Sequence, residues 1–161
     1  MLLAAAGVGP TGGRAEGRAT LTAVSVDPLT VFVYGTLRRG HPAHDAHLAG
    51  RIVGVWPARM AGLALHHGPG YPFATETGAS PTDVAVGEVV ELDPRRAVET
   101  MAGLDWWEDI DPVAPDRGLY VRVVRTAHLE SGASRPAWVY LAGPGVALDP
   151  TTRIAGGEWR P

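Results

Sequence analysis

The chain has 161 residues, a formal net charge of −3 and an apolar fraction of 45%, which indicates one soluble globular domain with a core of its own. All 14 basic residues are arginines, and the acidic balance provides no basic face of the kind that nucleic-acid-binding proteins carry. Because cysteine is absent, thiol nucleophiles, disulfides and cysteine-rich zinc sites are excluded, and a reducing, cytoplasmic location is expected. No apolar run approaches the roughly 20 residues that a membrane-spanning helix requires.

The first 28 residues differ in composition from the rest of the chain. They are rich in glycine, alanine and threonine and show no amphipathic period, so we expect a flexible N-terminal tail over residues 1–28. A single domain is then predicted over residues 29–161, without internal repeats.

The pattern after residue 28 is mostly strand and turn. The first predicted strand is "TVFVYG", which is apolar at nearly every position, as in a strand covered on both faces. A loop and a short helix follow in "RRGHPAHDAHLAG", and "RIVGVWPARMAGLALHHG" gives two strand-like runs punctuated by Gly54, Pro57 and Gly62. "GYPFATETG" and "VAVGEVVEL" predict two further strands, the second interrupted at Gly87.

The second half of the chain contains the strongest helix pattern. "DPRRAVETMAGLDWWEDI" predicts a helix with Asp93 as its N-cap and Pro94 at its first position. "LYVRVVRTAHL" and "RPAWVYLAG" predict a hairpin that turns at "ESGAS", and the closing "TTRIAGGEWRP" is expected to fold back onto the body. Strands outnumber helices without regular alternation, which favours an α+β domain: a mixed, curved sheet closing into a small barrel with one or two packed helices.

Four stretches stand out when they are taken together in chain order: "YGTLRRG", "GYPFA", "LDWWED" and "GLYVRV". Together they resemble the γ-glutamylcyclotransferase-like family, which includes the γ-glutamylamine cyclotransferases and the AIG2-like proteins. The resemblance covers roughly Val31 to Trp159. The residues that carry it are Tyr34-Gly35-Thr36-Leu37 after the first strand, Leu104-Asp105-Trp106-Trp107-Glu108 at the helix end, Tyr120-Val121-Arg122, and the closing "RIAGGEWR".

This resemblance implies an enzyme that releases 5-oxoproline from a γ-glutamyl amine or amide, with no metal and no organic cofactor. Glu108 is the expected catalytic residue, as general base and then general acid. Partial burial beside Trp106 or Trp107 would raise the pKa of its carboxyl group. The expected partners are the small-molecule γ-glutamyl substrate alone, with neither nucleic acid nor membrane; the leaving amine and the oligomeric state are left open by the sequence.

The turn after the first strand is the expected substrate-binding element. Backbone N–H groups of Gly35, Thr36 and Leu37 would hold the substrate carboxylate or the developing oxyanion, and Gly35 would permit close approach. Tyr34 and Tyr120 would wall the pocket, although a second interpretation makes each a core tyrosine with a hydrogen-bonded hydroxyl.

Several alternatives accompany this interpretation. Asp105 and Asp109 flank Glu108 and would replace it if the alignment were one register off, and Glu88 is the next candidate base. His41, His44 and His47 form a weak metal hypothesis, because nothing supplies the rest of a coordination shell. Arg38 and Arg39, beside a glycine turn, could bind phosphate. They support the competing hypothesis of a non-catalytic module that binds a small anionic metabolite.

Overall fold

The structure is a computed structural model that describes residues 27–114 and 116–161. The predicted tail over residues 1–28 lies almost entirely outside the described residues. Within them, the elements are β1 (Thr30–Val33), α1 (Pro42–His47), β2 (Ile52–Ala61), β3 (Ala64–His67), β4 (Pro72–Thr75), β5 (Val84–Leu92), α2 (Ala97–Trp107), β6 (Tyr120–Leu129) and β7 (Ser134–Ala142), followed by 3-10 turns at Pro150–Thr152 and Ala155–Gly157. In this part of the chain no helix has both the length and the apolar character needed to cross a bilayer.

Five strands close into a barrel in the order β1-β5-β2-β6-β7. Most neighbours are antiparallel, and a parallel bridge between Val31 of β1 and Trp138 of β7 completes the closure. β3 and β4 form a separate two-stranded sheet. The predicted α+β class, with a curved sheet closing on itself beside two helices, is confirmed.

β1 separates two apolar clusters. Phe32 and Tyr34 belong to the cluster inside the barrel, whereas Val31 and Val33 pack with Leu104 of α2 in the cluster outside it. Alternate side chains of a strand point to opposite faces, so a strand with a core on each side must be apolar throughout. This explains the unbroken apolar run of β1 and places the turn after Tyr34 where the two clusters meet.

The predicted start of α2 is wrong. The helix begins at Ala97, with Arg96 as its N-cap, and not at Pro94. Asp93 instead caps the turn before the helix, since its Oδ1 accepts the N–H of Arg95 at 2.9 Å and its carbonyl accepts the N–H of Arg96 at 2.9 Å. A side chain that satisfies the backbone locally in this way favours a turn over a helix.

The predicted interruptions of two strands are also absent. β2 continues through Gly54 and Pro57, with a register shift between Ile52 and Gly54, and it pairs with β6 at Ala58 and Arg59. β5 continues through Gly87, where a Cβ would lie 2.3 Å from the carbonyl oxygen of Val33. The glycine therefore lets β5 approach β1 closely and does not break the strand.

The C-terminal segment folds back onto the barrel, as predicted. Trp159 is buried in the cluster inside the barrel. Its carbonyl oxygen lies 3.4 Å from Nη1 of Arg38, in the loop after β1, and the N–H of Ile154 donates to the carbonyl of Leu65 at 2.8 Å. The end of the chain thus supports the loop that follows β1.

Candidate active site

A cavity of about 310 Å³ lies between the turn after β1 and the C-terminal end of α2. The residues that the sequence predicts for the site all line this cavity: Tyr34, Gly35, Thr36, Leu37, Glu108 and Tyr120. The fold therefore joins the "YGTL" turn, the end of the "LDWWE" helix and the start of β6 around one space. Their individual roles remain predictions.

The turn at residues 35–37 presents unused hydrogen-bond donors. The N–H of Arg38 donates to the carbonyl of Gly35 at 3.1 Å, which closes the turn. Among the described residues, the N–H groups of Gly35, Thr36 and Leu37 have no hydrogen-bond acceptor. Backbone donors in native proteins are nearly always satisfied, so three successive free N–H groups at a cavity wall suit an anionic ligand.

The start of this turn requires glycine because Pro72 packs directly against it. A Cβ at Gly35 would lie 2.8 Å from both Cγ and Cδ of Pro72, closer than carbon atoms pack. Pro72 is held in turn by Tyr120, whose hydroxyl donates to the Pro72 carbonyl at 2.8 Å. Glycine is therefore needed here for packing against the protein itself, and the close approach of a ligand to Gly35 stays a prediction.

The histidines near the turn support it. Nδ1 of buried His44 lies 2.8 Å from the carbonyl oxygen of Leu37, and the rings of His47 and Trp107 pack with centroids 4.5 Å apart and planes tilted by 42°. His41 packs against Trp159. Across residues 27–114 and 116–161, no three histidine, cysteine, aspartate or glutamate side chains are grouped so that they could hold a metal ion.

Glu108 owes its position to the way α2 ends. Glu108 is the C-cap, the N–H of Ile110 donates to the carbonyl of Asp105 at 2.9 Å, and the N–H of Asp109 donates to that of Trp106 at 3.3 Å. Asp109 has φ of 52°, in the left-handed region. These features form a Schellman motif, which satisfies the last carbonyls of the helix and turns the chain sharply. The cap fixes the direction in which the Glu108 side chain leaves the helix.

The Glu108 carboxyl is half-buried and unpartnered. Within the described part of the chain it forms neither a hydrogen bond nor an ion pair. Burial raises the pKa of Glu108 to about 7, with the negative charge of Asp105 as the second cause. Trp107 lines the cavity beside it, whereas Trp106 is 79% exposed. Of the two tryptophans that the sequence proposes, Trp107 is the one that shares the cavity with Glu108.

The flanking acids do not line the cavity. Asp105 is held by Arg122, whose Nη1 lies 3.0 and 2.9 Å from its two oxygens, and by the Tyr140 hydroxyl, which donates to Oδ1 at 2.8 Å. Asp109 is exposed. The geometry thus favours Glu108 as the base over both neighbours.

Both interpretations of the tyrosines hold at once. The ring of each lines the cavity, while the Tyr34 hydroxyl donates to the carbonyl of Tyr140 at 2.6 Å and accepts the N–H of Ala74 at 3.2 Å. Burial raises the pKa of Tyr34 and of Tyr120 far above the usual value for a phenol. The two hydroxyls therefore stay neutral and serve the fold, and the rings shape the cavity.

Besides Trp107, the remaining wall of the cavity consists of residues that sequence reasoning did not assign: Phe32, Val33, Tyr71, Pro72, Leu119 and Tyr140. Tyr71 and Pro72 lie within "GYPFA", a stretch that the resemblance already singled out. Tyr140 has no local signal. It opposes Arg122 in the β6–β7 register, so only the register of the predicted hairpin would have identified it.

The arginines of "YGTLRRG" are bound within the protein. Arg38 lies 3.6 Å from the carboxylate of Glu158 as well as near the Trp159 carbonyl, and Arg39 bonds to Glu88. Neither arginine lines the cavity, and neither does Glu88. The structure therefore gives the phosphate hypothesis and the alternative base no place in this site.

Comparison with known proteins agrees with the fold and the motifs. The family model described as "Gamma-glutamyl cyclotransferase, AIG2-like" matches residues 31–161. The chain belongs to this family. No curated protein matches the chain. The family resemblance inferred from the sequence is thereby confirmed.

Solved structures of this cyclotransferase-like fold are similar to the chain at low identity. An AIG2-like protein from Mus musculus is 21% identical with a TM-score of 0.60, over 82% of this chain and 88% of that one. YkqA from Bacillus subtilis is 24% identical with a TM-score of 0.58, over 81% of this chain but only 39% of its own. A yeast gamma glutamyl cyclotransferase specific to glutathione is 17% identical with a TM-score of 0.53, over 73% and 69%. These structures share the fold with the chain.

Proposed function

We propose that the protein is a γ-glutamyl cyclotransferase that releases 5-oxoproline from a γ-glutamyl amine or amide, with Glu108 as general base and acid. The observation that carries this proposal is the pairing of two features in one cavity. Counting only the described residues, a carboxyl group that has no hydrogen-bond partner and a pKa of about 7 shares the cavity with the N–H groups of residues 35–37, which have no acceptor. Membership of the gamma-glutamyl cyclotransferase, AIG2-like family supports it.

The first step is the activation of the substrate's own amine. The α-ammonium group of a γ-glutamyl compound cannot attack until it loses a proton, and the Glu108 carboxylate accepts that proton. The free amine then attacks the γ-carbonyl carbon of the same molecule, which closes a five-membered ring. Because this attack is intramolecular, the site must mainly hold the substrate in its reactive conformer. A cavity walled by rigid aromatic rings suits that task.

The second step is the collapse of the tetrahedral intermediate. N–H groups of residues 35–37 stabilise the negative oxygen that forms on the γ-carbon, or hold the α-carboxylate so that ring closure is aligned. The bond from the γ-carbon to the leaving nitrogen breaks, and Glu108 returns its proton to that nitrogen. Overall the α-nitrogen loses two protons: one reaches the leaving amine through Glu108 and the other passes to solvent.

The direct test is the formation of 5-oxoproline from a panel of γ-glutamyl amines and γ-glutamyl dipeptides. We expect product from the wild type with at least one member of the panel. In the Glu108→Gln variant, loss of the base should lower kcat by about 10²–10⁴-fold. The matched control is Asp109→Asn, which removes the adjacent, exposed charge and places asparagine in a left-handed conformation that it tolerates. Its kcat should stay within about threefold of the wild type.

Two outcomes would contradict the proposal. Full activity of Glu108→Gln would reject Glu108 as the base. Tight binding of 5-oxoproline or of a γ-glutamyl compound by the wild type, with no turnover of any panel member, would instead support the competing function of a small-anion binding module.

A further inference from the structure

Glu88 of β5 is a buried carboxylate that lies outside the cavity yet contacts the loop that forms it. Its side chain is almost wholly enclosed, with the residue 9% exposed. Oε2 accepts the backbone N–H of Arg39 at 2.8 Å, and Oε1 accepts Nε of the same residue at 3.1 Å. The carboxylate thus holds Arg39 by both its main chain and its side chain.

These bonds fix the far end of the turn that carries the free donors. β5 pairs with β1 so that Glu88 stands opposite Val33, the last residue of β1. The chain leaves the sheet at that point, passes through residues 35–37 and returns to the Glu88 carboxylate at Arg39. The same residue pair of the sheet, Val33 and Glu88, therefore holds both ends of the turn.

We propose that Glu88 is a positioning residue, which holds the N–H groups of residues 35–37 in the orientation that binds the anionic part of the ligand. The inference rests on the proposed function, because it assigns those N–H groups to a ligand. N–H groups that have no acceptor in the protein are stabilised when they rotate toward solvent and bind water. If the turn is held in its binding conformation before the ligand arrives, less conformational entropy is lost on binding. The Arg39 guanidinium offsets the charge of Glu88, so this carboxylate can stand near an anion site without repelling the ligand.

Four variants test whether the hydrogen bond from the Arg39 backbone N–H to Glu88 holds the turn, or whether the ion pair between the two side chains does. Glu88→Ala removes both bonds to Arg39. Glu88→Gln keeps a carbonyl oxygen for the Arg39 N–H, and Arg39→Ala keeps the N–H itself, so each retains the backbone anchor and loses the ion pair. Glu91→Ala is the matched control, because Glu91 lies on the same strand and pairs with an arginine, Arg135, at 2.9 Å without contacting the turn.

Two readouts are measured on the full-length variants: amide hydrogen exchange at Arg38, whose N–H closes the turn by donating to the Gly35 carbonyl at 3.1 Å, and KM and kcat for 5-oxoproline formation. In Glu88→Ala we expect faster exchange of this protected amide and a KM raised about tenfold, the size of one lost hydrogen bond to a charged group. The pH midpoint of its activity should stay near that of the wild type, since Glu108 is untouched. Glu88→Gln and Arg39→Ala should change KM by less than about threefold, and Glu91→Ala should change neither readout.

The proposal is overturned if the Arg38 amide exchanges no faster in Glu88→Ala than in Glu91→Ala, or if the KM of Glu88→Ala is unchanged while only its melting temperature falls. If Glu88→Ala does not fold, the other two variants decide. A KM raised tenfold or more in both Glu88→Gln and Arg39→Ala would show that the ion pair acts and not the backbone hydrogen bond. That result would also overturn the proposal. Absence of 5-oxoproline from the wild type would reject the proposed function, whereas the exchange readout would still decide whether Glu88 holds the turn.

Discussion

The turn at residues 35–37 and the C-terminal cap of α2 face the same cavity but differ in what holds them. Around the turn, backbone groups are fixed by side chains: His44 bonds to the Leu37 carbonyl and Glu88 to the Arg39 N–H, while the N–H groups of residues 35–37 have no acceptor among the described residues. At the helix end, the backbone is satisfied by the Schellman motif, and in the same described part of the chain the side chain of Glu108 has no hydrogen-bond partner.

This difference matches the two tasks that the proposed ring closure would set. Charge stabilisation is most effective when the donors are already in place, because no reorganisation is then needed during the reaction. Proton transfer instead needs a group whose charge can change at working pH, and an ion pair would prevent that. The cavity combines backbone donors, flanked by backbone groups that side chains hold, with a carboxyl group whose pKa burial raises to about 7.

Apart from Glu108→Gln, the largest expected effect on activity comes from disturbing the donor side at Gly35. In Gly35→Ala, the new Cβ would meet Pro72 at 2.8 Å, so the turn must move away from its present position. We expect kcat/KM for 5-oxoproline formation to fall by about 10- to 100-fold, as for a misplaced contact of about 1 Å. Steady-state kinetics with the best panel substrate provides the measurement.

Gly103→Ala is the control for this change. Gly103 lies within α2, and a Cβ there meets open space. The substitution should stabilise the protein by about 0.5–1 kcal/mol through helix propensity and leave kcat/KM unchanged. Equal kinetics of the two alanine variants would show that the position of the turn does not matter for activity.

On the carboxyl side, Glu108 should lower stability at high pH. Its pKa in the folded protein is about 7, above the ordinary value of 4.5, so the folded state binds more protons than the unfolded state between these values, and stability falls as pH rises through this range. Relative to the wild type, Glu108→Gln should therefore gain roughly 2–3 kcal/mol of unfolding free energy between pH 4 and pH 8.

Urea denaturation of Glu108→Gln and of the wild type at several pH values measures this gain. A constant difference between Glu108→Gln and the wild type across the range would mean that the carboxyl group has an ordinary pKa. The proton side of the cavity would then lack the property assigned to it.

The smallest expected effect tests the electrostatic cause of the raised pKa of Glu108. Asp105 is the second cause of the raised pKa of Glu108, while Tyr34, Tyr120 and Tyr140 nearby remain neutral. Asp105→Asn removes the negative charge and leaves Arg122 without its counter-ion, and both changes favour ionised Glu108. The midpoint at which kcat/KM rises with pH should move down by about half a unit to one unit.

A pH–rate profile for this variant tests the shift. Glu99→Gln is the control, since Glu99 is also on α2 and also paired with arginines, Arg51 and Arg96, at the other end of the helix. A midpoint displaced upward in Asp105→Asn, or displaced equally in both variants, would contradict the assigned cause.

Most of the candidate site could be predicted from the sequence because the residues that line the cavity belong to recognisable motifs. The "YGTL" turn, Glu108 and Tyr120 were identified by their order along the chain, and the family match confirms that resemblance. The barrel was also foreseen, since strand patterns and the "ESGAS" hairpin are local signals. Local patterns failed at Asp93, where a turn competes with a helix cap, and at Gly87, where the reason for glycine lies on a neighbouring strand.

What the sequence did not predict depends on contacts between distant segments. Tyr140 reaches the cavity through the register of two strands, and Glu88 acquires its bond to Arg39 only when β5 and β1 pair. Neither residue belongs to a pattern with a chemical meaning of its own. Glu88 looked like a second candidate base for the same reason: an acid in an apolar strand is visible in sequence, but its partner is not.

The most direct test of the central claim is a crystal structure of the protein with bound 5-oxoproline. If one carboxyl group and one set of backbone donors act on the same substrate, the ligand should lie in the cavity with an anionic or carbonyl oxygen within about 3 Å of N–H groups of residues 35–37 and its ring nitrogen within reach of Glu108. A ligand bound in this cavity away from Glu108, or bound at another place on the protein, would contradict the account.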